Sequence, residues 1–341
     1  MKARAVSING RARNGPGIHL WVGFRGKTTD EELKFIIKDF GIGGVVLFRR
    51  NIEGPEQLHD LLEEAQALSR NVLGRPLWVA IDQEGGPVQR LVPPFTRLPS
   101  AQALAAEGPN AVRMWAARAA LELRQTGINI NLAPVLDVMR ECASHFMGER
   151  CLGRDPESVA GLGKVWIGAL QENGVSASAK HFPGLGQAES DPHHFAPVIH
   201  WPDEEARERD ILPFREAVKA GVHCVMTSHA LYPDLDPGWP ATMSPTINDE
   251  WLRSRMEFQG VLLSDDLDMA AVSEHYPWAQ IARQGVLATI DGFLLCQRSE
   301  NIEPFYQALS DALATDSALA DKHRRSLARL ARLSRLHGIR A

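Results

Sequence analysis

The chain has 341 residues, 44% hydrophobic and 23% charged, which excludes disorder as its dominant state and provides enough apolar surface for a sizeable core. Lys and Arg number 37 against 42 Asp and Glu, a formal net charge of −5, so no global basic field exists to hold nucleic acid. No run of about 18 apolar residues occurs, so no membrane span is expected. Met1 to Pro16 carries charge but no apolar core of a signal peptide. The 4 cysteines (Cys142, Cys151, Cys224, Cys296) form no Cys-x-x-Cys pair and are too sparse for a disulfide scaffold. The setting these features predict is reducing and cytoplasmic.

In chain order, short apolar runs alternate with longer stretches of helical period. Strands are predicted at Ile18–Val22, Gly44–Phe48, Leu77–Ile81, Ile128–Leu132, Val175–Ala179, Val222–Thr227, Gly260–Ser264 and Gly292–Cys296. Helices are predicted at Thr29–Phe40, Gly54–Ser69, Ala111–Thr126, Ser158–Asn173, Asp203–Ala220 and Trp278–Ala288, followed by a C-terminal pair. This alternation predicts an α/β fold, a (β/α)8 TIM-type barrel. A doubly wound sheet is the alternative, but Gly23-Phe24-Arg25-Gly26 after the first strand lacks the GxGxxG spacing of such folds. With no linker or composition shift inside the chain, residues 1–15 are read as an N-terminal tail and 16–341 as one barrel domain that includes the C-terminal helices. The last segment is basic (Lys322, Arg324, Arg325, Arg329, Arg332, Arg335, Arg340), with Leu327, Leu330, Leu333 and Leu336 three apart. It is read as a terminal helix laying leucines on the barrel; membrane-surface or nucleic-acid binding is the other use of such a pattern.

In barrels of this type the chemistry gathers at the C-terminal ends of the strands. Five consecutive predicted strands run into polar residues there: Asp82-Gln83-Glu84-Gly85-Gly86, then Asn131 and Asp137, Lys180-His181, Thr227-Ser228-His229, and Ser264-Asp265-Asp266. Helix capping is an alternative role for Asp137 and Asp266, but capping does not account for Lys180-His181 or His229. Lys180–Pro197, rich in Gly and Pro, is predicted as a long loop after the fifth strand, of a length usually tied to function. Within it Asp191 and His193 are two positions apart, so the carboxylate can fix the imidazole tautomer and raise its basicity. Such a histidine suits donating a proton and later taking one back. A metal site built from His181, His193, His194 and Cys142-x-x-His145 is the competing use, although no HExxH or CxxC spacing supports it. Asp265, kept ionised by nearby positive charge such as Lys180 and Arg150, suits attack on a carbon whose transition state is cation-like. Asp82, Arg90, Arg150, Lys180 and His181 supply the mixture of donors and acceptors that holds sugar hydroxyls.

Taken together, these residues resemble glycoside hydrolase family 3, in particular its single-domain bacterial β-N-acetylhexosaminidases. The resemblance covers roughly residues 18–300. It rests on Gly43–Phe48 with Arg50-Asn51-Ile52, Asp82–Gly86, Asn131–Val138, Arg150 with Gly153-Arg154-Asp155-Pro156, Lys180–Gly186, Pro240–Ser244 and Ser264–Leu267. It implies retaining, exo-acting hydrolysis that releases terminal N-acetylglucosamine through a covalent intermediate on Asp265. His193, paired with Asp191, would be the acid/base, and Asp82, Arg90, Arg150, Lys180 and His181 would hold the sugar. No metal or organic cofactor is implied. The implied task is release of that sugar from muropeptide fragments in the cytoplasm during peptidoglycan recycling, with a small carbohydrate as the partner and no nucleic acid or membrane span. The chain departs from the family pattern at Leu185 (usually His), Gln187-Ala188 (commonly Asp-Thr), Pro192 (commonly Ser) and Pro87 (often Arg). These positions bear on substrate preference. Activity on glucosides, xylosides or arabinosides, or a sugar-binding barrel without catalysis, are the alternatives.

Overall fold

The computed structural model describes residues 15–140, 147–188 and 197–337. Eight short, buried strands pair in parallel: β1 (Leu20–Val22), β2 (Gly44–Leu47), β3 (Trp78–Ile81), β4 (Ile130–Asn131), β5 (Ser176–Phe182), β6 (Cys224–Thr227), β7 (Val261–Asp266) and β8 (Gly292–Leu295). They follow one another around a closed barrel in sequence order, with β8 returning to β1. Most of the strands are apolar on both faces, as suits parallel strands covered on both sides; β5 is the clearest exception, with Ser176, Ser178 and Lys180 alternating along one face. Alternate residues point inward and outward. Trp21, Val46, Trp78, Ala80, Ile130, Met226, Leu263 and Leu294 fill the barrel interior, while Leu20, Val22, Val45, Leu47, Val79 and Ile81 pack against the surrounding helices.

Those helices are α1 (Glu31–Phe35, continued by a π turn), α2 (Pro55–Leu73), α3 (Ala101–Glu107), α4 (Pro109–Gln125), α5 (Pro156–Glu172), α6 (Glu204–Lys219), α7 (Ala270–Ser273), α8 (Trp278–Leu287), α9 (Ile302–Thr315) and α10 (Ser317–Leu336). Several begin at an aspartate whose side chain accepts from an otherwise unpaired backbone N–H: Asp30 from Leu33, Asp155 from Ser158, Asp203 from Ala206 and Asp316 from Ala318. None of the described helices is long and apolar enough to cross a membrane.

The strands and main helices match the sequence expectation; beside short additions such as α7 and the Leu231–Tyr232/Asp236–Pro240 hairpin, three differences stand out. Helix α3 was not foreseen, because its Ala-rich sequence carries no legible apolar stripe. A π-helical turn over Thr246–Arg255 was also missed; its polar sequence is held by burial of Ile247, Trp251 and Leu252. The loop predicted from Lys180 starts later, because Lys180, His181 and Phe182 continue β5, with Phe182 in register with Thr227.

Helix α10 closes the N-terminal end of the barrel. Leu330 and Leu333 join the interior cluster, whereas Leu336 is 55% exposed. A spacing of three residues drifts around a helix of 3.6 residues per turn, so the leucines cannot all face the barrel. Behind α10, the wholly buried carboxylate of Asp291 receives Arg253 Nη2 at 2.8 Å, Arg329 Nη2 at 2.8 Å and the Leu262 amide at 2.9 Å. Burial pushes this carboxyl up, but Arg329 and Arg253 outweigh it and hold it below the usual range. Asp291→Ala would leave two guanidinium groups without their counter-charge. It should cost about 3–5 kcal/mol of stability, measured by urea unfolding; a loss below about 1 kcal/mol would mean that the Asp291 cluster does not hold α10 in place.

Candidate active site

The cavity at the C-terminal mouth of the barrel is about 310 Å3, with Phe48, Asp82, Arg90, Arg150, His181 and Asp265 among its lining residues. Three larger clefts, about 420, 570 and 870 Å3, are lined by helix-surface residues such as Arg325 and Arg332, Arg209 and Arg215, or Arg70 and Arg124. None of the three collects carboxylates from strand ends.

Past β3 the chain makes a hairpin, Gln83–Gly85 against Val88–Gln89. Its turn uses Gly85 (φ 95°) and Gly86 (φ 55°), a region that side chains disfavour, and a Cβ on Gly85 would lie 2.1 Å from the Pro99 carbonyl oxygen. The hairpin is pinned from within. Gln83 Oε1 accepts from the amides of Arg90 and Leu91 at 2.9 and 3.0 Å, and Asn131 exchanges two 3.0 Å bonds with the Gln83 backbone. Asn131, one of the predicted rim residues, therefore braces the hairpin. The turn brings Arg90 back to Asp82.

The outcome is a chain of alternating charges. Arg90 Nη2 lies 2.9 Å from Asp82 Oδ2, Lys180 Nζ lies 2.8 Å from Asp82 Oδ1 and 2.6 Å from Glu84 Oε1, and Arg150 donates from Nε and Nη2 to Glu84, both at 2.9 Å. Burial pushes the Asp82 carboxyl up, but Lys180 and Arg90 carry it well below the ordinary carboxylate range. Glu84 falls to about 2 for the same reason, with Lys180 and Arg150 overcoming its burial. Lys180 is raised in spite of burial, because Asp82 and Glu84 both stabilise its ammonium form.

His181, next to Lys180, is oriented by a carboxylate that the strands alone do not reveal. Its Nδ1 lies 2.7 Å from Asp137 Oδ2, and Asp137 Oδ1 also accepts from the Leu185 amide at 2.6 Å. Asp137 is wholly buried and caps no helix. With Nδ1 engaged, Nε2 is the ring nitrogen left for a ligand.

Asp265 and Asp266 end β7 in contrasting states. Burial pushes the Asp265 carboxyl up, yet His181, His229 and Lys180 together bring it below its usual value, with the Asp266 amide donating to Oδ1 at 2.8 Å. Burial and the neighbouring Asp268 instead push Asp266 up to about 7. Asp266 Oδ1 accepts from the Cys296 and Asp268 amides at 3.0 and 3.1 Å, so it ties β7 to β8 rather than capping a helix. His229 Nε2 lies 2.9 Å from the Asp266 carbonyl oxygen and its Nδ1 2.8 Å from Thr242 Oγ1.

Six predicted site residues thus converge on one cavity: Asp82, Arg90, Arg150, Lys180, His181 and Asp265. Arg150 was expected to face Asp265 but is gripped by Glu84 in a two-pronged pair. Asp191 and His193 lie outside the described residues, as do Cys142, His145 and His194. Among the described residues no group of three His, Cys, Asp or Glu side chains is arranged to hold a metal ion. The sequence reading passed over Glu84 as a site residue. Its signal was the two-residue spacing from Asp82, which puts both side chains on one face of an extended segment. It also passed over Phe48, whose ring carries the guanidinium of Arg50 at 4.5 Å and that of Arg90 at 5.4 Å. The tryptophans pack elsewhere; Trp21 and Trp78 stack inside the barrel with centroids 6.3 Å apart.

The profile of the Glycosyl hydrolase family 3 N terminal domain matches residues 17–333. A protein from Alkalilimnicola ehrlichii named Beta-hexosaminidase is 36% identical over 305 residues, covering 86% of this chain and 84% of its own. A glycoside hydrolase family 3 beta-N-acetylglucosaminidase of solved structure from Paenibacillus sp. str. FPU-7 superposes with a TM-score of 0.90 at 33% identity, over 96% of this chain but only 62% of that longer one. The Beta-N-acetylhexosaminidase from Beutenbergia cavernae DSM 12333 superposes with a TM-score of 0.88 at 28% identity, over 97% of this chain and 99% of that one. A family match spanning the whole barrel, with its strand-end carboxylates in one cavity, has a single meaning: the chain belongs to glycosyl hydrolase family 3 and is a glycoside hydrolase.

Proposed function

We propose that this hydrolase is a retaining exo-β-N-acetylglucosaminidase, with Asp265 as nucleophile and His193, paired with Asp191, as acid/base. The observation that carries the reading is the placement of Asp265, a half-buried carboxylate held below its usual pKa, in one cavity with the chain of charges from Arg90 to Arg150. Relatives named for β-hexosaminidase and β-N-acetylglucosaminidase activity support the sugar class. A cavity of about 310 Å3 is at the small end of ligand sites, about 300–1,000 Å3, which suits one terminal sugar rather than a stretch of glycan.

In the first step an Asp265 carboxylate oxygen bonds to the anomeric carbon while the bond from that carbon to the leaving oxygen breaks. His193 gives its proton to that oxygen. In the second step water attacks the same carbon, His193 takes the water proton, and Asp265 leaves as carboxylate. Two inversions give overall retention. Asp82, Arg90, Arg150, Lys180 and His181 hold the sugar hydroxyls, and Phe48 offers an apolar wall. Muropeptide fragments in the cytoplasm are the proposed natural source of substrate.

Asp265→Asn should lower kcat on a chromogenic N-acetyl-β-glucosaminide by on the order of 10³-fold or more; turnover equal to wild type would remove Asp265 from its role. Aryl glycosides differing only at C2 decide the sugar class, since a faster glucoside or xyloside would overturn the acetamido assignment. His193→Ala should slow substrates with poor leaving groups by about 10²-fold or more and leave activated aryl glycosides much less affected in kcat/KM. An identical loss on both would contradict its role as acid. Glu84→Gln replaces the charged partner of Lys180 and Arg150 with a neutral one, and should raise KM about 10–100-fold. An unchanged KM would show that the charge chain does not set substrate binding.

A further inference from the structure

Gln187 and Trp201 flank the segment that contains Asp191 and His193, and a single carboxylate reaches both. Asp210, in α6, is wholly buried, and its Oδ2 accepts from Gln187 Nε2 at 2.5 Å and from the Trp201 indole Nε1 at 2.9 Å. We infer that Asp210 is a positioning residue for the acid/base of the proposed reaction, fixing the separation of the two ends from which His193 is presented. The inference rests on the reading of His193 given above.

Three further observations support it. First, the two ends are otherwise anchored to different parts of the barrel. On the near side, the Leu185 amide donates to Asp137. On the far side, Ile199 and Pro197 exchange backbone bonds with Leu231 at 2.8 Å, and the Trp201 amide donates to Asp234 Oδ2 at 2.8 Å. Second, Tyr232 spans the same gap in parallel with Asp210: its ring stacks on Trp201 with centroids 5.1 Å apart, and its hydroxyl donates to the Gly184 carbonyl at 2.9 Å. Third, Asp210 is a poor device for stability alone. Its Oδ1 is buried with no hydrogen-bond partner among the described residues, and burial pushes the carboxyl up to about 6 despite the bonds from Trp201 and Gln187. A buried carboxylate that satisfies one oxygen and strands the other is costly. What it uniquely supplies is one oxygen shared by two N–H donors that lie 14 positions apart in the chain.

The test uses the full chain and two N-acetyl-β-glucosaminides, one with a dinitrophenyl and one with a methoxyphenyl leaving group. kcat/KM reports the step that needs the acid. Asp210→Ala should lower kcat/KM at least about tenfold more on the methoxyphenyl substrate than on the dinitrophenyl one, a fraction of what complete loss of a general acid costs. In Asp210→Asn, the amide oxygen can accept both N–H groups and the NH2 takes the place of the unpartnered oxygen. That variant should recover kcat/KM on both substrates to within about threefold of wild type. Trp201→Phe keeps the stack on Tyr232 but deletes the indole donor, and should reproduce the selective loss in smaller degree; it answers the question even if Asp210→Ala does not fold. Equal losses on both substrates in Asp210→Ala and Trp201→Phe, beside a selective loss in His193→Ala, would overturn the positioning role and leave the acid assignment standing. An unselective His193→Ala would overturn both.

Discussion

The alternation of charge from Arg90 through Asp82, Lys180 and Glu84 to Arg150 is the interaction on which the site depends. Each member alone would be expensive to bury, because desolvating a charge costs several kcal/mol unless a partner at good geometry replaces the lost water. In this chain the three inner members each have an opposite charge on two sides, and the ends are closed by arginines, whose planar guanidinium groups keep their charge and suit carboxylates. The set carries three cations and two carboxylates, a surplus of +1, and Asp265 on the same cavity wall balances it. The polarity of the pocket is therefore fixed before a ligand arrives, and the donors need little rearrangement to meet hydroxyl groups.

That chain assembles only where the barrel brings distant pieces together. Asp82 and Glu84 follow β3, Lys180 lies among the last residues of β5, and Arg150 sits in the 3-10 turn Gly148–Arg150. The closed ring of strands sets their spacing, and the interior core of Trp21, Trp78, Met226 and Leu263, sealed below by Leu330 and Leu333, sets the position of the strands. The buried Asp291 cluster lies at the opposite end, beside the α10 leucines that close this core. Asp265 and Asp266 show how finely placement divides like groups. One faces His181, His229 and Lys180 and falls below its usual pKa, whereas its neighbour faces Asp268 and rises to about 7. Adjacent carboxylates driven apart by their surroundings are a recurrent mark of sites where each does different work.

The eight strands were legible because each is a short apolar run bounded by turn residues, and strand-end polarity located the cavity wall at Asp82, Lys180 and Asp265. Pairings between residues far apart in sequence were not legible. Nothing near Asp137 indicates that it grips His181, 44 positions away, and nothing near Arg150 indicates that Glu84, 66 positions away, takes both prongs of its guanidinium. Such partners are chosen by the packing of the barrel, to which local pattern is blind. The leucine stripe of α10 was legible as a helix but not as a plug, because its period of three leaves only Leu330 and Leu333 facing the interior. Helix α3 and the Thr246–Arg255 turn were hidden for the reverse reason: their stability comes from what they touch, not from periodicity.

The departures from the family pattern gain a physical meaning from this geometry. Leu185 is among the residues that line the cavity, but what it gives the site's framework is its backbone amide, which donates to Asp137. Any residue with an N–H can make that bond, so an apolar side chain at this position changes the wall that a ligand meets and leaves the orientation of His181 intact. Gln187 is different. A carboxylate there would face the buried carboxylate of Asp210, two like charges in a low-dielectric setting, whereas the glutamine amide supplies the donor that the Asp210 oxygen requires. The pairing of Gln187 with Asp210 thus reads as one joint solution, and a substitution at either member has to be judged by what it does to the other.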